Sequence, residues 1–137
     1  MANYKSLFTR HMDSEGIKYT DVNEYAVRVG YNAKNMSSVS IYVFFDKDNE
    51  PLVTLKCWEI AKFDGEKRAA GILACNDVNN RYRWTNFYID DDGDVNAQID
   101  TYVDERNCGA LCTNLVGRMV SIIDGAYPTF MQALWSK

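Results

Sequence analysis

The chain has 137 residues, 47% of them hydrophobic and 13% aromatic, with only two prolines. That composition excludes intrinsic disorder and suits one domain over residues 1–137 with a sizeable core. Nineteen acidic against fifteen basic residues give a net charge of −4 and a pI near 4.9, which argues against nucleic acid and anionic membrane as direct partners.

The opening stretch from Met1 to Phe8 has no basic region followed by an apolar run, so neither a signal peptide nor a membrane span is expected. A helix is expected from about Asn3 to Ser14. Tyr4, Leu7, Phe8 and His11 recur at helical spacing, Asn3 can cap the start and Gly16 can stop the end. After a short extended piece at Ile17 to Thr20, strands are expected at Tyr25 to Tyr31, Val39 to Phe45 and Leu52 to Glu59, joined by turns rich in Asn, Asp and Lys. A second helix is expected from about Gly65 to Asn79, packing through Ala69, Ile72, Leu73 and Val78. Trp84 to Asp90 and Val95 to Tyr102 then read as a hairpin around Asp92-Gly93. A last helix starts near Cys108 on an apolar face of Leu111, Cys112, Leu115, Val116 and Met119. Pro128 leaves Thr129 to Trp135 either a kinked continuation or a separate last turn. The order is α-β-β-β-α-β-β-α, an α+β fold with an antiparallel sheet flanked by helices.

Strict alternation sorts the strand residues onto two faces. Thr85, Phe87, Ile89, Val95, Ala97 and Ile99 go to the core. Tyr42, Phe44, Trp58, Trp84, Tyr88 and Tyr102 go to the opposite face, a set costly to leave in water. Either a helix covers that face or part of it forms a homodimer or client interface.

Few residues suggest chemistry. His11, the one histidine, lies on the apolar stripe of its helix without an orienting carboxylate and nucleophile nearby in sequence, and is read as a packed residue. Cys57, Cys75, Cys108 and Cys112 show no CxxC spacing and suit reduced thiols in the cytoplasm. Cys108 and Cys112 are one helical turn apart but lack a second ligand pair, so core packing is expected. Asp90-Asp91-Asp92-Gly93-Asp94 does not match the ligand spacing of a calcium-binding loop and reads as a hairpin turn with exposed carboxylates. The acidic run up to Glu105 could attract a basic client segment. Asn76 and Asn79 share one helical face beside Arg81 and Arg83. Either Asn79 or Asn80 ends the helix through left-handed geometry and side-chain bonding while the arginines offset its dipole, or the amides of Asn76 and Asn79 bond an extended peptide or fix a partner chain. No catalytic residue, metal site or cofactor is expected.

Asn76-Asp77-Val78-Asn79, then Arg83-Trp84, then Phe87-Tyr88-Ile89 and the acidic turn from Asp90 to Asp94, with Tyr127-Pro128 near the end, resemble the YbjN family of bacterial domains described as sensory transduction regulators. That family is similar in fold to the type III secretion chaperones, small acidic homodimers that grip an extended client segment. The resemblance implies the fold and suggests protein binding without catalysis. Tyr42, Phe44, Trp58, Asn76, Asn79, Arg83, Trp84, Tyr88 and Tyr102 are the candidate binding residues. The alternative is a small-molecule sensor with a pocket between the sheet and the last helix, lined by residues such as Trp84, Tyr88 and Met119.

Overall fold

The computed structural model describes residues 3–136; Met1 and Ala2, where the reading of the opening segment begins, lie outside them. Helix α1 (Tyr4–Ser14) starts at Asn3, whose Oδ1 accepts from the Ser6 N–H at 3.0 Å, and it stops where Gly16 takes a φ of 68°. Strands β1 (Thr20–Asn23), β2 (Ala26–Asn32), β3 (Ser38–Phe45) and β4 (Leu52–Lys62) follow as a meander. A single 3-10 turn (Gly65–Lys67) leads into α2 (Arg68–Arg81), then β5 (Asn86–Ile89), β6 (Asp94–Tyr102) and α3 (Cys108–Trp135). The sheet is antiparallel throughout, in the order β1-β2-β3-β4-β6-β5. The last hairpin is therefore inserted with β6 inside and β5 at the edge, α2 carrying the chain across.

One core lies between the sheet and the helices. Phe8 and Met12 of α1, Ala74, Cys75 and Val78 of α2, and Cys112, Val116, Met119, Ile123 and Phe130 of α3 meet Val27, Val29, Ile41, Val43, Leu55 and Ala97 of the strands. Phe8 packs on Phe45 with ring centroids 5.7 Å apart, and Phe87 on Phe130 at 5.5 Å. Helices α1 and α3 cross closely at Gly109, where a Cβ would lie 2.5 Å from the Cβ of His11. His11 is thus a packing residue, with its Nε2 3.8 Å from Glu15.

Several expectations are corrected. The extended piece placed at Ile17 to Thr20 is a strand at Thr20–Asn23, missed because all four of its residues are exposed and carry no alternation. The packing face of α2 is Gly71, Ala74, Cys75 and Val78. Ile72 and Leu73, chosen for hydrophobicity, are 49% and 70% exposed, because α2 lies against the sheet on its small residues.

Helix α3 runs unbroken through Pro128. Proline cannot donate to the carbonyl four residues earlier, and that carbonyl, Asp124 O, accepts instead from Asn35 Nδ2 at 2.9 Å. The Asp124 carboxylate takes the backbone N–H groups of Lys34, Asn35 and Met36 at 3.2, 2.8 and 2.9 Å. One helix residue thereby clamps the β2–β3 turn.

Candidate protein-binding surface

Among the described residues no helix covers the outer sheet face. Tyr42 and Phe44 of β3 and Trp58 of β4 form an aromatic cluster there, with Trp58 5.0 Å from Tyr42 and 5.7 Å from Phe44, both edge-on, and Tyr42 stacked on Phe44 at 6.3 Å. Trp58 is 40% exposed. Lys56 Nζ lies 5.7 Å over the Trp58 ring. The register sets Arg28, Tyr42, Lys56, Gln98 and Asn86 in one row across the sheet, and Phe44, Thr54 and Asp100 in the next. Thr54 Oγ1 donates to Asp100 Oδ1 at 2.6 Å. Tyr88 and Tyr102 share this face, Tyr102 at its far end beside Leu52, where both side chains are exposed.

Trp84 does not belong to that face. Its φ is +75°, in the left-handed region that a bulky residue rarely adopts, and β5 begins only at Asn86. Alternation cannot be carried back through such a residue. The indole turns instead toward α3, with the Arg118 guanidinium 5.3 Å and that of Arg83 6.0 Å from its ring. A groove of about 370 Å³ opens between the end of β6 and α3, lined by Trp84, Ile99, Leu111, Asn114, Leu115 and Arg118 among others. Tyr88 is on the other face and Met119 is wholly buried, so neither lines it as expected. From the sequence, Leu111 and Leu115 were read only as part of the helix's apolar face, and Asn114 and Arg118 were not singled out. The i, i+3, i+4, i+7 spacing of these four was the available signal, and the core stripe of the same helix masks it.

The two asparagines part company. Asn76 is exposed and has no side-chain hydrogen bond among the described residues. Asn79 closes on its own chain: its Nδ2 donates to Phe87 O at 3.0 Å and its Oδ1 accepts from Phe87 N–H at 2.8 Å. Neither reading anticipated this bond: the Asn79 amide serves β5 of its own chain. The helix ends not on a left-handed asparagine but at Tyr82, which is extended and donates its N–H to Val78 O.

The acidic turn is an internal scaffold. Asp90, Asp92 and Asp94 bring carboxylate oxygens within 4.8 Å of one another, but both oxygens of Asp90 have partners in the chain. Oδ1 takes the N–H groups of Asp92 and Asp94 at 3.0 Å, and Oδ2 takes Asn96 Nδ2 at 2.8 Å. The Asn96 amide, followed by the N–H groups of Asp94 and Asp92, holds the Asp90 carboxyl below the usual range. Asn96, buried at 3% exposure, also accepts from Glu59 N–H at 3.0 Å. Glu59, at φ 58°, is the centre of the β4 bulge between Cys57 and Ala61.

The thiols are buried. Burial pushes Cys57 and Cys75 up to about 11, and the Cys108 thiol beside Cys112, together with burial, raises Cys112 strongly. Cys57, Cys75 and Cys112, raised in this way, are poor nucleophiles.

The arrangement defines a helix-backed sheet with one open aromatic face and a groove at its edge. The model of the YbjN family, described as "Putative bacterial sensory transduction regulator", matches residues 8–131, and the chain belongs to that family. Among solved structures it is similar to YbjN from E. coli, described as a putative transcription regulator, at a TM-score of 0.62 and 10% identity over 91% of each chain; that likeness shows a common fold. It also matches the Yersinia pestis type III secretion chaperone SycH, solved with a stable fragment of YscM2, at a TM-score of 0.49 and 10% identity over 88% of this chain and 99% of that one, a likeness too distant to carry an inference. No curated protein matches.

Proposed function

We propose that this chain is a noncatalytic, cytoplasmic regulatory domain that acts by binding protein, and that it works as a homodimer joined through the aromatic sheet face. The observation that carries this reading is the Tyr42, Phe44 and Trp58 cluster on a face no helix covers. Tyr and Trp in such a cluster give rigid apolar area with a polar handle, the usual material of an interface centre. The same face holds Arg28 and Lys56 on one row and Asp100 on the next, so a two-fold arrangement can set unlike charges against each other. The raised thiols of Cys57, Cys75 and Cys112 and a packed histidine agree with the absence of catalysis in this reading.

Affinity capture from the native cell tests the binding role. The wild-type chain retains a protein partner, and Trp58→Lys, at an exposed position, loses it while keeping its thermal midpoint. A client kept from aggregating by the wild type and not by Trp58→Lys adds a chaperone-like role. Equal capture by both proteins contradicts the use of this face.

A sensor is the second reading, and the groove beside Trp84 favours it. A metabolite that raises the thermal midpoint by several degrees, and fails to do so in Arg118→Ala, supports that reading.

A further inference from the structure

The two outer edges of the sheet are blunted. β1 is four exposed residues with a register shift between Asp21 and Asn23, and Lys5 Nζ donates to Asn23 O at 2.7 Å. The outer edge of β5 is closed by the Asn79 amide on Phe87. Both devices keep edges from pairing with other chains. A third edge lies inside the sheet and has no such guard. β5 pairs with β6 only from Asn86↔Gln98 to Ile89↔Val95, whereas β6 continues to Tyr102 against β4.

The direction of the backbone groups along that edge follows from the ladder. The Phe87 N–H and C=O face outward to Asn79, so those of Asn86 and Tyr88 face β6. In β6 the even-numbered residues therefore point toward β5 and the odd-numbered toward β4. Two bonds fix the same phase: Val103 N–H donates to Pro51 O on the β4 side, and Asp94 O accepts from Asp90 N–H on the β5 side. The Asp100 N–H and C=O and the Tyr102 N–H consequently face a place where no strand of the described residues lies. Tyr102 O is engaged by Thr101 Oγ1 at 3.1 Å.

That place is the space a longer β5 would fill, and Trp84, at φ +75°, turns the chain out of it. The Thr85 hydroxyl next to it is buried and has no hydrogen-bond partner among the described residues. On the helix side the groove offers Ile99, Leu111 and Leu115 as an apolar floor and Arg118 at its rim. Arg118 makes no ion pair among the described residues.

We infer that the Asp100 to Tyr102 edge of β6 is a strand-addition site, taking an extended peptide segment of a partner protein with an apolar side chain on Leu111 and Leu115 and an acidic residue at Arg118. Unpaired, alternating backbone donors and acceptors select a polypeptide over a compact small molecule. The apolar floor selects every second side chain, and the two arginines around Trp84 select negative charge. The site deepens the protein-binding reading but lies apart from the aromatic face, so the two fail separately.

Selection of seven-residue peptides from a displayed random library, followed by amide hydrogen exchange read by NMR, tests it. In the free protein the Asp100 and Tyr102 amides exchange fast while those of Ile99 and Thr101, bonded to β4, are protected. Selected peptides alternate apolar and polar residues, carry an acid, and slow exchange at Asp100 and Tyr102 by about tenfold or more. N-methylation of alternate peptide nitrogens abolishes binding. Arg118→Ala weakens binding about tenfold and removes the preference for an acid. Trp84→Gly, which suits the backbone at that position, weakens it without unfolding the protein, and Trp58→Lys leaves it unchanged.

The inference is overturned if no peptide is enriched, if bound peptides leave the Asp100 and Tyr102 amides at their free rates, or if N-methylated peptides bind as well as the parents. It is also overturned if only a small carboxylate shifts the Leu111 and Arg118 signals, which would give the groove to a sensor.

Discussion

Asp124 shows how one side chain can hold two elements together. Its carboxyl is held below the usual range, first by the Met36 N–H and then by those of Asn35 and Lys34. A carboxylate with a depressed folded value contributes stability that is present above its unfolded pKa, about 3.9, and is lost as pH falls through the folded value. Asp90 behaves the same way through Asn96 and its turn. Denaturant titrations from neutral pH downward should therefore show stability falling on the acid side, and Asp124→Asn should show a shallower fall; parallel curves would contradict this. Asn79→Ala removes two bonds from Phe87 and is expected to destabilise the protein by about 1–3 kcal/mol, read by chemical denaturation. The Asn3 cap and the Gly16 stop were legible in the sequence because capping is local. The bond from Asn79 to β5 was not legible, since its partner is eight residues away across a reversal of the chain. The side of the sheet on which Trp84 lies was not legible at all. Alternation presumes extended backbone, and nothing in Arg83-Trp84-Thr85 announces a left-handed residue.

At the scale of elements, α3 depends on a substitution of partners. Pro128 leaves Asp124 O without its helical donor, and Asn35 Nδ2 supplies one. Asn35→Ala should cost about 1–2 kcal/mol by leaving that carbonyl unsatisfied. In a Pro128→Ala background the restored N–H should reduce the cost, and a double-mutant cycle measures the coupling; strict additivity would contradict the account. The sequence left a kinked continuation and a separate turn both open, because the rescuing donor lies on the β2–β3 turn and no periodicity reports it. Helix α2 was misread for a related reason. Hydrophobicity points to Ile72 and Leu73, but close approach favours Gly71 and Ala74, and a Cβ on Gly71 would lie 2.6 Å from the Phe63 ring. Gly71→Val should therefore unfold the chain or lower its midpoint sharply, whereas Leu73→Ser should leave it near the wild type.

For the molecule as a whole, the antiparallel sheet and the order of elements other than β1 were legible from periodicity and turn chemistry, and so was the aromatic character of the outer face in β3 and β4. What covers that face was not legible, since either a helix or a partner satisfies the same pattern. The helices all pack on the other side, leaving Tyr42, Phe44 and Trp58 as an open cluster in an otherwise acidic protein. The proposed homodimer would bury this cluster. Light scattering on the purified chain at micromolar concentration tests that claim most directly. A mass of twice 15.7 kDa for the wild type, falling to the monomer in Trp58→Lys with the fold retained, is the predicted result; a clean wild-type monomer, or a dimer untouched by Trp58→Lys, would contradict it.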